Sequence, residues 1–117
     1  MRLQGKVAIV TGGGAGLGKA IAHRLAEEGA DVVIGDTDET AAQAVAAQIQ
    51  ALGSRAAAVR TDVTRKSEIE ALVEQAMQLG PIDILINNAG VEEITPLLEI
   101  PEEEWDRTLD TNLKGVF

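Results

Sequence analysis

Residues 6–18 read KVAIVTGGGAGLG, an apolar run followed at once by a glycine-rich loop. Lys6–Val10 has the composition of a strand that is buried on both faces. The glycines let the backbone turn sharply and approach a ligand closely. Apolar residues then recur at helical spacing, at Leu17, Ile21, Ala22 and Leu25. Gly29 marks the end of that helix, so this stretch predicts a strand, a tight turn and a helix.

The same alternation of short apolar runs and amphipathic segments continues along the chain. Three more strands are expected, at Asp31–Gly35, Arg55–Arg60 and Ile82–Ile86. Three more helices are expected, with stripes at residues 41–52, 69–77 and 105–116. The order β-α-β-α-β-α-β-loop-α predicts an α/β fold, a Rossmann-like doubly wound parallel sheet with helices on both faces. Residues 1–117 would form one domain, which ends with the fourth strand and the helix after it.

Composition restricts the chemistry and the partners of this domain. The 117 residues carry 10 Lys and Arg against 19 Asp and Glu, a net charge of −9, which disfavours nucleic acid and anionic membranes as partners. The chain has no Cys, no Tyr and one His, so no thiol nucleophile and no metal site is expected. No apolar run reaches the ~18–20 residues of a membrane span. We find no signal peptide either, so a cytoplasmic location is expected.

The glycine loop suits a phosphate group at the start of a helix. Backbone N–H groups and the positive end of the helix dipole would face a pyrophosphate there. A nucleoside triphosphate loop would need Ser or Thr after Lys19, where this chain has Ala20. A purely structural turn is the alternative. The residues expected to contact a dinucleotide in this loop are Gly12, Gly14, Gly16, Leu17 and Gly18.

Asp36 stands at the end of the second predicted strand. An acidic side chain at this place can accept hydrogen bonds from an adenosine ribose. A helix cap is the alternative, but Asp38 or Thr37 suits that role better and leaves Asp36 free. No Lys or Arg occurs between Arg24 and Arg55, so no nearby cation would neutralise a 2′-phosphate. These features predict NAD rather than NADP as the cofactor.

Two further segments follow the third and fourth strands. Asp62 and Val63 lie at the edge where parallel sheets bind ligands, and capping of the next helix is the alternative for Asp62. Asn88, Ala89 and Gly90, within NNAG at 87–90, are expected to contact the dinucleotide or to support the loop.

Asn112 is a polar amide on an apolar stripe. Steps of four, three and four residues from Trp105 reach Leu109, Asn112 and Val116. An amide on the core side of a helix is costly unless its hydrogen bonds are satisfied. One interpretation is a structural amide that bonds the neighbouring backbone.

Four ordered signatures together resemble the short-chain dehydrogenase/reductase family over all 117 residues. They are the T-G-x-x-x-G-x-G spacing of Thr11–Gly18, the pair Asp62-Val63, NNAG at 87–90, and Asn112 within NLKGVF. The resemblance implies an NAD(P)-dependent enzyme that transfers a hydride between nicotinamide and a small-molecule alcohol or carbonyl substrate. It implies that Asp62 lies against the adenine and that Asn112 holds a water in a proton relay to a catalytic Lys.

The family's remaining catalytic groups are not in this sequence. By resemblance, these groups are a Ser and the Tyr and Lys of a Tyr-x-x-x-Lys segment, which would follow Phe117. The chain itself has no Tyr. The resemblance therefore implies the N-terminal, cofactor-binding part of such an enzyme, inactive by itself. A non-catalytic dinucleotide-binding or assembly module is the alternative.

Self-association is also expected. The strand order 3-2-1-4 that the resemblance implies would leave the apolar fourth strand at an edge, where another chain could pair. The apolar residues of the last helix would add to an exposed patch. A homo-oligomer, most simply a two-fold dimer, is the predicted outcome.

Overall fold

The computed structural model describes all residues, Met1–Phe117, and has one parallel sheet flanked by helices. The strands are β1 (Val7–Thr11), β2 (Asp31–Asp36), β3 (Ala56–Arg60) and β4 (Ile84–Ile86). The helices are α1 (Gly16–Glu27), α2 (Glu39–Ala51), α3 (Lys66–Met77) and α4 (Glu102–Leu109). A 3₁₀ turn at Leu97–Glu99 precedes α4, and a π-helical segment at Asp110–Lys114 follows it. The predicted order of strands and helices is confirmed.

Helices cover both faces of the sheet, because alternate strand residues point to opposite sides. On one face, Ile34 of β2 belongs to a core cluster with Ala22 of α1 and Ile49 of α2. On the other face, the adjacent Val33 belongs to a second cluster with Leu72 of α3. All of these side chains are buried. The doubly wound, Rossmann-like α/β fold is therefore confirmed.

The strand register brings the carboxyl ends of the strands to one edge. The sheet order is β3-β2-β1-β4, and every pair is parallel. Thr11 lies opposite Gly35, Asp36 opposite Arg60, and Val10 opposite Ile86. The segments that leave all four strands thus emerge side by side, and ligands bind at this edge in open parallel sheets.

The fourth strand is shorter than the predicted Ile82–Ile86 because Asp83 bonds the start of β1 with its side chain. Asp83 Oδ2 accepts a hydrogen bond from the Val7 N–H at 3.0 Å, and the Asp83 N–H donates to the Val7 carbonyl at 2.9 Å. The Lys6 ammonium lies 3.8 Å from the same carboxylate. Asp83 therefore forms polar contacts with β1 just before the regular pairing of β4 with β1 begins. β4 is an edge strand, and Leu85 is 55% exposed.

The last helix is not continuous as predicted. Regular α-helix ends at Leu109, and the following turns widen to a π-helix that the Gly115 N–H closes on the Asp110 carbonyl at 2.8 Å. The apolar members of the predicted stripe, Trp105, Leu109 and Val116, are all exposed. None of the helices combines the length and the apolar character needed to cross a bilayer.

Candidate functional site

A cleft of about 250 Å³ opens at the carboxyl edge of the sheet. Its walls come from the glycine loop, the segments after β2, β3 and β4, and α4. The lining residues are Gly12, Asp36, Thr37, Thr61, Asp62, Val63, Thr64, Ala89, Val91, Arg107 and Thr111. The structure therefore brings together Gly12, Asp36, Asp62, Val63 and Ala89, which the sequence singled out separately.

The glycine loop packs tightly on one side and is open on the other. A Cβ atom at Gly18 would lie 2.2 Å from the Gly12 carbonyl oxygen, so no larger residue fits there without movement of the backbone. Gly16 has a φ of +55°, and a Cβ there would meet nothing within 4 Å. No side chain caps the start of α1, and Leu17 beside it is 71% exposed. The first N–H groups of α1 could therefore donate to an anionic ligand.

Asp36 ties the glycine loop to the end of β2. Its Oδ2 accepts from the Gly14 N–H at 2.9 Å, and its Oδ1 accepts from the Asp38 N–H at 3.0 Å. Asp36 therefore does not cap α2, as expected, but its carboxylate accepts two other backbone hydrogen bonds. Asp38 caps α2 by accepting from the Ala41 N–H at 3.0 Å, as predicted. Each oxygen of Asp36 keeps lone-pair capacity, so this carboxylate could still accept hydrogen bonds from ribose hydroxyls.

Asp62 is held in a short polar turn after β3. Its Oδ1 accepts from the Thr64 hydroxyl at 2.6 Å and from the Thr64 N–H at 2.9 Å. These bonds, assisted by the charges of Arg65 and Arg60, lower the pKa of Asp62 below its ordinary value. The helix that follows begins at Lys66, so Asp62 stabilises the turn before α3 and does not cap its first turn. Asp62 is ionised at neutral pH and lines the cleft.

Thr11 holds the segment after β4 beside the cleft through contacts that the sequence did not predict. Its hydroxyl oxygen accepts from the N–H groups of Asn88 and Ala89, both at 3.0 Å, and the hydroxyl donates to the Ile86 carbonyl at 3.4 Å. The Asn88 amide nitrogen in turn donates to the carbonyls of Thr11 and Gly12, both at 3.1 Å. The Asn88 side chain therefore supports the start of the glycine loop, and loop support is one of its two predicted roles. A polar residue at the end of an apolar strand was the signal available.

The Asn112 side chain hydrogen-bonds the backbone of the segment that follows β4. Its Oδ1 accepts from the Val91 N–H and its Nδ2 donates to the Val91 carbonyl, both at 2.8 Å. Gly90 packs closely against the Asn112 side chain, since a Cβ at Gly90 would be 3.1 Å from Asn112 Oδ1. Both ends of the amide are used, which matches the structural interpretation of the side chain. Its part in a proton relay stays a prediction.

The cleft also has a wall that the sequence did not indicate. Arg107 and Thr111, one helical turn apart, line the cleft from the last helical region. Arg107 forms an ion pair with Glu93, which lies in the segment before α4. No local pattern predicts where α4 lies relative to β2 and β3, so these two residues could be found only from the three-dimensional structure.

A four-stranded parallel sheet covered by helices on both faces, with a polar cleft at its carboxyl edge, defines a Rossmann-like α/β protein. The family model described as short chain dehydrogenase matches residues 6–117. The chain therefore belongs to the short-chain dehydrogenase family.

Three relatives illustrate the similarity. The chain is 41% identical over 118 residues to the (2S)-[(R)-hydroxy(phenyl)methyl]succinyl-CoA dehydrogenase subunit BbsD of Thauera aromatica, covering 100% of this chain and 48% of that protein. A short chain dehydrogenase from Burkholderia cenocepacia J2315, solved in complex with NADP, is 43% identical with a TM-score of 0.94, over 99% of this chain and 48% of that one.

The third relative is the 3-ketoacyl-(acyl-carrier-protein) reductase of Brucella melitensis, solved with NADH. It is 40% identical with a TM-score of 0.90, and the match covers 97% of this chain and 46% of that one. The chain thus spans about half the length of each of these relatives.

Proposed function

We propose that residues 1–117 are the cofactor-binding part of an NAD-dependent oxidoreductase, which transfers a hydride between nicotinamide and an alcohol or carbonyl substrate. The observation that carries this proposal is the convergence of the glycine loop, Asp36 and Asp62 on one cleft. Membership of the short-chain dehydrogenase family supports it. The relatives solved with NADP and with NADH support a dinucleotide as the ligand.

The cleft and the start of α1 each suit different parts of the dinucleotide. The uncapped start of α1, at Gly16, Leu17 and Gly18, would hold the pyrophosphate. The Asp36 carboxylate would accept from the adenosine ribose, and Asp62 with Val63 would lie against the adenine. Gly12 and Gly14 shape the loop. Ala89 and Gly90 would pass close to the cofactor on a backbone that Thr11 and Asn88 hold in place.

Nicotinamide, when bound, supplies the hydride acceptor or donor. The residues of this chain would bind and orient it, because hydrogen bonds already hold the Asp36 and Asp62 carboxylates in place at the edge of the sheet. Asn112 would act by fixing the segment after β4 through Val91. Its amide oxygen keeps a second lone pair and its amide nitrogen a second N–H, either of which could bind a water of the proton relay.

NAD is expected to bind more tightly than NADP. Asp36 would repel a 2′-phosphate, and it already accepts the two backbone bonds that hold it at the end of β2. Asp36→Ala is expected to weaken NAD binding by about 1–3 kcal/mol, the range for a hydrogen bond to a charged group. Isothermal titration of both cofactors against wild-type and variant chains measures this.

Asp38→Ala is the matched control for that experiment. It removes a nearby carboxylate that caps α2 and does not line the cleft. We expect it to lower the free energy of unfolding by about 0.5–2 kcal/mol with little change in NAD affinity. Tighter binding of NADP than of NAD by the wild-type chain would contradict the proposed preference.

A second candidate function, an assembly module, is favoured by the exposed apolar surface around β4 and α4. β4 is an edge strand, and Leu85, Trp105 and Phe117 are 55%, 54% and 106% exposed. We infer that the chain forms a dimer or a larger oligomer at micromolar concentration, although its net charge of −9 opposes association.

Light scattering at moderate salt measures the oligomeric state. Leu85→Lys is expected to disperse the oligomer if β4 pairs across the interface. Leu52→Lys is the control, since Leu52 is 50% exposed at the end of α2, away from this edge. A wild-type chain that stays monomeric would show that this surface does not drive association.

A further inference from the structure

The cleft contains one cation that the proposed function leaves without a role. Arg107 lines the cleft from α4, one helical turn before Thr111. Its side chain is 52% exposed and forms an ion pair with Glu93. The other charged residues of the lining are Asp36 and Asp62, so Arg107 is the single positive group of the cleft wall.

Most lining residues of this cleft come from segments other than the glycine loop. Of the glycine loop, only Gly12 lines the cleft, whereas Thr37 and the whole segment 61–64 after β3 do so. A dinucleotide with its pyrophosphate at the start of α1 and its ribose at Asp36 would extend its base toward that segment. The base would then lie between the segment after β3 and α4, and it would meet Arg107.

We propose that Arg107 contributes to cofactor affinity by stacking its guanidinium plane on the adenine of the bound dinucleotide. The inference rests on the proposed function, because it needs a dinucleotide in the cleft. A guanidinium group is planar, weakly hydrated and well suited to stacking on aromatic rings, whereas a Lys ammonium is a compact, strongly hydrated charge. A guanidinium that pairs with a carboxylate through its N–H edge keeps its face available to an aromatic ring, so an ion pair with Glu93 is compatible with stacking.

The stacking contact is tested by titrating NAD and ADP-ribose into the 117-residue chain by calorimetry. Arg107→Ala is expected to weaken the binding of both ligands by about 5- to 30-fold, the range for a desolvated cation–aromatic contact. Arg107→Lys keeps the charge without the plane, so its affinities are expected to stay close to those of the Ala variant. The two substitutions are at a half-exposed helix position, and circular dichroism checks that the fold is kept.

Arg24→Ala is the matched control. It removes an exposed arginine that pairs with Glu27 and Glu28 on α1 and does not line the cleft, so both affinities are expected to be unchanged. Unchanged affinity in Arg107→Ala, or full recovery in Arg107→Lys, would overturn the stacking contact while the proposed function stands. A wild-type chain that binds neither NAD nor ADP-ribose would overturn both.

Discussion

The 117-residue chain is expected to show no oxidation of alcohols and no reduction of carbonyls above background, even when it is saturated with NAD or NADH. Hydride transfer to or from a substrate needs a proton donor or acceptor at the substrate oxygen, and such a group contributes about 10²–10⁴-fold. The chain has no Tyr, and the ionisable groups of the cleft are Asp36, Asp62 and Arg107. Asp62 is held ionised by its bonds from Thr64 and cannot act as the acid near neutral pH.

The measurement is the change in NADH absorbance in a sample whose intact mass confirms the chain. Cofactor binding is measured in the same sample by calorimetry, so that loss of binding is not mistaken for loss of chemistry. Turnover that scales with the concentration of the chain and disappears in Asp36→Ala would show that another residue supplies the proton. That result would contradict the proposed division between cofactor binding and catalysis.

The second large effect is expected at Thr11. The substitution Thr11→Val keeps the shape of the side chain but removes the acceptor of two backbone N–H groups, those of Asn88 and Ala89. Thr11 is only 8% exposed, so water cannot readily replace the lost acceptor. A buried donor left without a partner costs about 1–3 kcal/mol. Because these two N–H groups are only part-buried, we expect the lower part of the combined range, a loss of about 2–4 kcal/mol in the free energy of unfolding.

Urea unfolding of two variants separates the hydroxyl from the methyl group. Thr11→Ser keeps the acceptor and loses one methyl, so its free energy of unfolding is expected to fall by only about 1 kcal/mol. Thr61→Val is a second control, because the buried Thr61 hydroxyl donates a single bond to the Val59 carbonyl. Equal stability of Thr11→Val and the wild-type chain would mean that the segment after β4 is held by other contacts.

The strands and helices could be predicted from sequence because their signals are local. Apolar runs such as residues 7–10 and 31–35 are long enough to show burial on both faces, and the helical stripes between them repeat several times. The N-cap of α2 could also be predicted from sequence, since Asp38 accepts a hydrogen bond from an N–H only three residues away. The predicted elements were therefore confirmed, whereas their boundaries differ by one residue in β1, β2 and β3 and by more in β4 and the last helix.

The bonds that build the site could not be predicted because they join distant parts of the chain. Thr11 and Asn88 are 77 positions apart, and Val91 and Asn112 are 21 positions apart. The sequence correctly indicated that Asp36 does not cap α2, but it held no signal for the bond that Asp36 accepts from the Gly14 N–H, 22 positions away. Such contacts depend on rotamers and on the packing of whole elements, to which hydrophobic periodicity is insensitive.

The last helical region is a second case in which sequence spacing did not predict the structure. A stripe at helical spacing predicts a continuous helix through Asn112, but that side chain bonds both backbone groups of Val91. The local backbone is π-helical, and segments of this kind occur frequently at functional sites. The spacing of apolar residues contains no signal for such a change in helix type.

The central claim is that the cleft at the carboxyl edge of the sheet binds a dinucleotide. A titration of the ¹⁵N-labelled chain with NADH, followed by the amide chemical shifts, tests this claim residue by residue. We predict saturable shifts at residues 12–18, 36–37, 62–63 and 88–90, with little change at Asp31 and Asp83 on the opposite edge. An absence of saturable shifts, or shifts confined to the opposite edge, would contradict it.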